Sequence, residues 1–339
     1  MNLLPNPRIG SADPSASLSA LWGYMQPALD HIICSPVDDP SKVPAVDVDY
    51  HIGIHTALYN YFTTAPAPHL SIGASRPPSR GISATTPLGS DVYDRLDAYL
   101  ADVAREVLLG APMDDSALLY YLVPRFARYS TGAQSINRLL NYVNRQYVRR
   151  AVDEDRGWLR IGDIAEGGAP SPAEAGLGSA VSHRKITERM RERRAAELRR
   201  WGSPDSGATA EQLARAEACA EAASAVDRVV PVLSLAYRRF RTEVLEPLLV
   251  VPKAKGKGKK GGGAGRAVLV VPAAEDEQAA VGPRGRLARA VKELIESGGG
   301  DGGERDKLAS DMANMLMCTG IRPDHPLRRR LRKHSVLIT

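Results

Sequence analysis

The sequence predicts an all-α fold, an antiparallel helical bundle with long disordered insertions. Three observations predict it. Apolar residues recur at steps of three and four in segment after segment of the 339-residue chain, which is the period of a helix face. No stretch of the first half alternates apolar and polar residues between hairpin turns, as strands would. Glycine and proline, 30 and 24 residues, gather in spacers between the periodic segments, and such spacers separate helical blocks with disordered runs.

The first helix begins after Ser17, with Leu18, Leu21, Trp22, Met25, Leu29 and Ile32 along one side. Pro27 lies inside it, and an interior proline costs about 3 kcal/mol, so a kink or two shorter pieces are expected. Residues 35–48 hold three prolines and several aspartates and read as a loop. A second helix spans about Asp49 to Thr63, where Tyr50, Ile54, Leu58, Tyr61 and Phe62 share a side. Residues 64–89 are a Pro/Gly/Ser spacer. Ser90 or Asp91 can cap the third helix, striped by Val92, Leu96, Tyr99, Val103 and Val107, and Gly110-Ala111-Pro112 stops it. Asp114 or Asp115 opens the fourth, which carries Leu118, Leu119, Leu122, Phe126 and Tyr129 around Pro124. A brief break is expected at Thr131-Gly132, followed by a fifth helix from about Ala133 to Ala151. Short connections between five such helices favour antiparallel neighbours.

The second half is less regular. Residues 162–178 read as a spacer. Ser182 to Trp201 is dense in Arg and Glu, an exposed helix held by charge pairs at helical spacing. Glu211 to Leu249 reads as one long helical segment ending in Val229, Val230, Leu233, Tyr237, Phe240, Val244 and Leu248. The Lys/Gly run from Lys253 to Gly265 belongs to a low-complexity disordered insertion. Two amphipathic helices follow, carrying Leu287, Ala290, Val291, Leu294 and Ile295, then Leu308, Met312, Met315 and Leu316.

Several function classes are disfavoured. The net charge of +6 is modest for the length. Its surplus sits in spacers and in Arg328-Arg329-Arg330-Leu331-Arg332-Lys333, which reads as a solvated basic tail. Aromatics do not interleave with these cations, so nucleic acid is not an expected partner. Cys34, Cys219 and Cys318 stand far apart, which fits a reducing compartment and no disulfide framework. Residues 1–10 have no apolar core of a secretory leader, and no apolar run approaches the roughly 18 residues of a membrane span. Gly256 to Gly265 has neither the order nor the hydroxyl of a phosphate loop. His51 and His55 share the i,i+4 spacing of a two-imidazole metal site, but no Glu of an HExxH pattern and no neighbouring Cys/His pair completes it. Neither a G-x-S-x-G turn nor a cysteine in catalytic context is present, and Cys318 reads as a small core residue. No cofactor or metal is expected, and a non-catalytic binding or scaffold role is.

Two segments carry a resemblance. One is Tyr50-His-Ile-Gly-Ile-His-Thr-Ala-Leu-Tyr-Asn-Tyr-Phe-Thr63. The other runs from Tyr121 to Tyr129 and on through Gln134-Ser-Ile-Asn-Arg-Leu-Leu-Asn-Tyr-Val-Asn-Arg-Gln-Tyr-Val-Arg-Arg150, followed by Asp153-Glu154-Asp155. Both resemble the first cullin repeat of SCF-type cullins, especially fungal ones, in order and spacing across residues 18–160. Val92 to Leu100 resembles the segment between them, and Val232 to Leu249 a later one. The resemblance implies a bundle of the cullin-repeat type. Its first repeat comprises residues 17–160 and 211–249, interrupted by an insertion at 161–210. A disordered insertion follows at 250–285, the start of a second repeat at 286–339, and residues 1–16 form a disordered N-terminus.

The resemblance also implies a function. Cullins of this type are scaffolds of ubiquitin ligases, acting in ubiquitin-dependent protein degradation in cytoplasm and nucleus. The second and fifth helices of their first repeat dock an adaptor protein that carries an F-box protein. Carried over, the second-helix positions are His51, Ile52, His55 and Tyr59, and the fifth-helix positions are Asn137, Leu140, Asn141 and Asn144. Each set falls on one face of a helix, although Leu140 and Tyr59 suit a core equally well. The family has aromatics where this chain has His51 and His55. A chain ending at Thr339 is expected to lack the family's C-terminal domain, so the RING-box subunit is not an expected partner. The alternative is a basic helical protein that binds nucleic acid or another acidic partner through Arg184 to Arg200 and Arg328 to Lys333.

Overall fold

Ser17 accepts a hydrogen bond from the backbone N–H of Ala20 and opens helix α1, Leu18–Cys34, in the computed structural model. The structure describes residues 3–7, 13–35, 39, 42–64, 89–165, 179–204, 207–250, 285–296 and 302–336. The Lys/Gly run and the spacers at 65–88 and 166–178 lie outside the described residues. After α1 come α2 (Val48–Thr64), α3 (Ser90–Leu109) and α4 (Asp115–Leu139). Helix α5 joins Asn141–Val143, a π-turn at Asn144–Val148, and Arg149–Asp153. Then follow α6 (Gly162–Ala165), α7 (Ser179–Arg200) and α8 (Ala210–Ala223). Helix α9 joins Val232–Phe240, a second π-turn at Arg241–Leu245, and Glu246–Leu249. The last three are α10 (Arg286–Glu296), α11 (Gly302–Cys318) and α12 (Pro326–Val336).

The fold is an all-α bundle. Among the described residues the extended pairing is a single bridge, Leu4 beside Val46. Helix α4 is the axis and packs on α1, α2, α5, α9, α10 and α11. Helix α9 lies between α3, α4 and α8. One continuous apolar core runs from Leu21 and Met25 through Leu122, Phe126 and Phe240 to Met312 and Leu331. Residues of α10 to α12 therefore share the core of the earlier helices.

Several sequence expectations are corrected by the packing. Thr131-Gly132 does not break the chain, because α4 runs straight through it. A Cβ on Gly132 would sit 3.0 Å from Ile33 Cγ1 and 3.2 Å from Ile33 Cα. The glycine is there for close approach of α1 to α4, a use of its missing side chain other than a turn. Pro27 and Pro124 likewise lie within unbroken helices. Helix α3 starts from Gly89 at φ 88°, which has no side chain to cap it, while Asp91 Oδ1 accepts from the first-turn Val92 N–H at 2.9 Å and the Phe62 ring occupies the space a Cβ on Gly89 would need. Residues 3–7 of the expected disordered N-terminus are pinned: Leu4 N–H donates to Ala45 O at 3.0 Å, and Tyr24 Oη–H donates to Asn6 Oδ1 at 2.9 Å. Residues 211–249 are two helices, because Ser224–Pro231 turns the chain between α8 and α9.

The charged segment α7 does more than sit in solvent. Its end, Leu198 and Trp201, packs on Ala216, Cys219 and Ala220 of α8 in a second, smaller core. The basic run is not a loose tail either. Leu327 and Leu331 are buried in α12, and the Arg328 guanidinium lies 5.8 Å from the centre of the Trp201 ring.

Glu221 of α8 is buried, and its carboxyl accepts a 2.6 Å hydrogen bond from Ser234 Oγ. Among the described residues no cation stands within salt-bridge range, and burial pushes its pKa from 4.5 up to about 8. The folded protein thus holds the proton that the unfolded chain releases. The stability this gives is complete below about pH 4.5 and is lost as pH rises towards and through about 8, by up to about 1.4 kcal/mol per pH unit. Glu221→Gln keeps the acceptor for Ser234 and removes the titration. Urea midpoints of the variant are expected to change less between about pH 6 and about pH 8 than those of the parent. Equal slopes would show that Glu221 is ionised in the folded state.

Candidate docking face

Helix α2 is apolar on two sides, and only one of them faces the bundle. Tyr50, Ile54, Ala57, Leu58 and Phe62 are buried, and the Tyr50 hydroxyl donates to Tyr24 O at 2.5 Å. On the other side Val48, Ile52 and Tyr59 are 69%, 57% and 51% exposed. They account for three of the twelve large apolar side chains that are exposed among the described residues. Steps of four and seven put them in one stripe, so the exposure is a strip and not a scatter. His51 and His55 are exposed as well.

Tyr142 of α5 closes one edge of this strip. Its ring centre lies 5.4 Å from His55, 5.9 Å from Tyr59 and 5.5 Å from Phe62, edge to face in each case. Such aromatic pairs contribute about 0.5–1.5 kcal/mol each. The cluster fixes α2 against α5 and sets the Tyr59 ring in place before any partner arrives. Asn141 is exposed beside it. Apolar centre and polar edge are the composition of protein–protein contact surfaces.

The other fifth-helix candidates do not reach this surface. Leu140 is 0% exposed, so it lies beneath the face and not on it. Asn144 Nδ2 donates to Asn137 Oδ1 at 2.8 Å. Asn144 Oδ1 then accepts from Val232 N–H at 2.9 Å, and Asn137 Oδ1 from Leu233 N–H at 3.3 Å. These are first-turn N–H groups of α9, which have no partner within their own helix. The two asparagines thus cap α9. Of the eight candidates, His51, Ile52, His55, Tyr59 and Asn141 lie open, and Asn137, Leu140 and Asn144 belong to the scaffold behind them.

Val48 and Tyr142 were not among the candidates. Val48 stands one helical turn before Ile52 and lay within reach of the same periodicity. Tyr142 did not, because an unbroken helix places it away from α2. The backbone departs from helical geometry at Leu140, with φ −98° and ψ 24°, so the residues after it are rotated out of the expected phase. Asn144→Ala is expected to cost about 1–2 kcal/mol through the uncapped end of α9 and to leave partner affinity within about threefold. Chemical denaturation beside a binding titration checks both. A large affinity loss with unchanged stability would restore Asn144 to the contact surface.

Among the described residues no three His, Cys, Asp or Glu side chains gather to hold a metal ion, and no helix is long and apolar enough to cross a membrane. No family model matches the chain and no solved structure matches it. Several curated proteins do, among them two cullin-like ones. Cell division control protein 53 of Saccharomyces cerevisiae is 26% identical over 140 residues, which are 40% of this chain and 16% of that protein. Cullin-1 of Dictyostelium discoideum is 26% identical over 143 residues, 42% of this chain and 18% of that protein. The matched region thus spans less than a fifth of either relative. The chain is similar to cullin-like proteins over about two fifths of its length.

Proposed function

We propose that this chain is a non-catalytic scaffold of cullin type whose α2–α5 face docks the adaptor protein of an SCF-type ubiquitin ligase, together with its F-box protein, in cytoplasm and nucleus. The exposed strip Val48–Ile52–Tyr59, braced by Tyr142, carries the reading. Leaving such side chains in water forgoes about 1.5–3 kcal/mol for each one that a partner could bury fully. A partner helix or hairpin laid along α2 would recover part of it. The adaptor as partner follows from the resemblance to SCF-type cullins, which the similarity to Cullin-1 and cell division control protein 53 supports.

The direct test is calorimetric titration of the purified chain with a purified adaptor–F-box complex. Saturable binding with a Kd of about 1 μM or tighter is expected, about −8 kcal/mol. No heat and no co-elution at about 50 μM of each component, an excess over that Kd of more than tenfold, would end the reading.

A further inference from the structure

A cleft of about 880 Å³ opens where α7, α8, residues 158–163 and the turn after α11 meet. Trp158 and Trp201 line it, and Ala220 and Ala223 of α8 give it a smooth floor. These are two of the three tryptophans in the chain. The volume lies in the range of sites that enclose a small ligand or a side chain with its neighbours.

The walls are fixed without any ligand. Trp201 is packed on α8 and covered on one side by Arg328. The turn is held by Gly320 at φ 80°, where a Cβ would collide with the backbone of Ala222 and Ala223. Arg328 Nη1–H also donates to Ile321 O at 2.8 Å. Such a site costs little to order on binding.

The charges at the rim decide what would enter. Glu197 is shared by Arg193 at 3.6 Å and Arg200 at 3.1 Å, so one carboxylate faces two guanidiniums. Asp163 is already neutralised by Arg228 at 2.7 Å. On the turn, Arg322 and Asp324 are both exposed, and neither has an ion-pair partner among the described residues. Three guanidiniums therefore face two carboxylates at the rim, above two indoles. Indoles favour a flat apolar group, and guanidiniums favour a carboxylate held by two parallel hydrogen bonds. A nucleic-acid strand would bring a row of phosphates past Glu197 and Asp324, which repel it. A peptide brings only one or two negative charges, so a carboxylate can sit on Arg322 with much less of that repulsion.

We propose that this cleft binds an acidic peptide segment, an aromatic side chain flanked by Asp or Glu, with the ring between Trp158 and Trp201 and a carboxylate on Arg322. The probe is the blocked peptide Ac-Glu-Phe-Glu-NH2, titrated into the ¹⁵N-labelled full chain. The three indole N–H signals are assigned with single Trp→Phe variants. The Trp158 and Trp201 signals are expected to move together below about 1 mM peptide, while that of Trp22, which lies in the main core, stays. Arg322→Glu, at an exposed position, is expected to weaken the response about tenfold by placing like charges opposite one another. Still indoles at that concentration would overturn the proposal, as would an equal response in Arg322→Glu or to Ac-Lys-Phe-Lys-NH2. A stronger response to a single-stranded oligonucleotide would replace the peptide with nucleic acid and overturn it too.

Discussion

Ile52→Asp is expected to weaken adaptor binding by about 30-fold or more, a loss of at least about 2 kcal/mol. Ile52 is more than half exposed on the open side of α2, so the change removes no core contact of the free chain. Its backbone carbonyl, which accepts from Thr56 Oγ1 at 2.9 Å, is unaffected. In a complex the same position would force a carboxylate into a dry apolar contact, where an unpaired charge costs several kcal/mol. Loss of affinity with an unchanged denaturation midpoint is therefore the signature. Tyr59→Ala should act more weakly in binding, because it loses an anchor without adding a charge. It should also cost a little stability, since the Tyr59 ring meets Tyr142 in the free chain. Calorimetry on parent and variants separates these cases. An Ile52→Asp variant that binds as the parent does would move the docking surface off α2.

How much of this was legible in the sequence depends on which force set each feature. Helices α1 to α4 were legible because their buried stripes repeat at the helical period, and burial dominates their stability. Ile52 and Tyr59 were named through the resemblance, and the helical period only allowed them to share a face. On α5 Asn141 was named in the same way, but Tyr142 was not. The phase of Tyr142 depends on the departure at Leu140, which lies between two asparagines that accept from residues 88 and 96 positions away. No local pattern records a contact of that range. Gly132 shows the same limit. It looks like a breaker in sequence, and only the presence of Ile33 against it shows that it is a packing residue. The cleft was illegible for a related reason. Trp158, Trp201 and Arg322 come from three separate stretches, and the segment holding Trp201 looks merely solvated until α8 is placed beneath it.

Arg238→Met is expected to destabilise the fold by about 3 kcal/mol. Arg238 is 1% exposed, and burial pulls its pKa down from the ordinary guanidinium value. Removing a buried charge that lacks a close carboxylate would by itself be neutral or favourable. The partners decide otherwise. Nη1 donates to Arg228 O at 2.7 Å and to Val226 O at 3.3 Å. Nη2 donates to Ser224 Oγ at 2.9 Å and to Glu221 O at 3.3 Å. Methionine fills much of the volume and donates to none of these. Each orphaned acceptor could cost about 1–3 kcal/mol, but Val226 and Asp227 are exposed, so part of the loop can turn to water. The Glu221 carbonyl keeps two donors, Ser224 N–H at 3.1 Å and Ser224 Oγ–H at 2.7 Å, so most of the penalty falls on the Arg228 carbonyl, which loses its 2.7 Å donor. That is why the expected cost lies near the middle of the range and not at the sum. Arg238→Lys should restore part of it, since one ammonium can satisfy two or three of the four acceptors. Urea denaturation gives the magnitude, and amide exchange gives the place: protection should fall first in Ser224–Val230, between α8 and the start of α9. Because Asn137 and Asn144 cap that start, the same variant should loosen α5 before it loosens α2. A loss below about 1 kcal/mol would mean that this loop stands without its guanidinium.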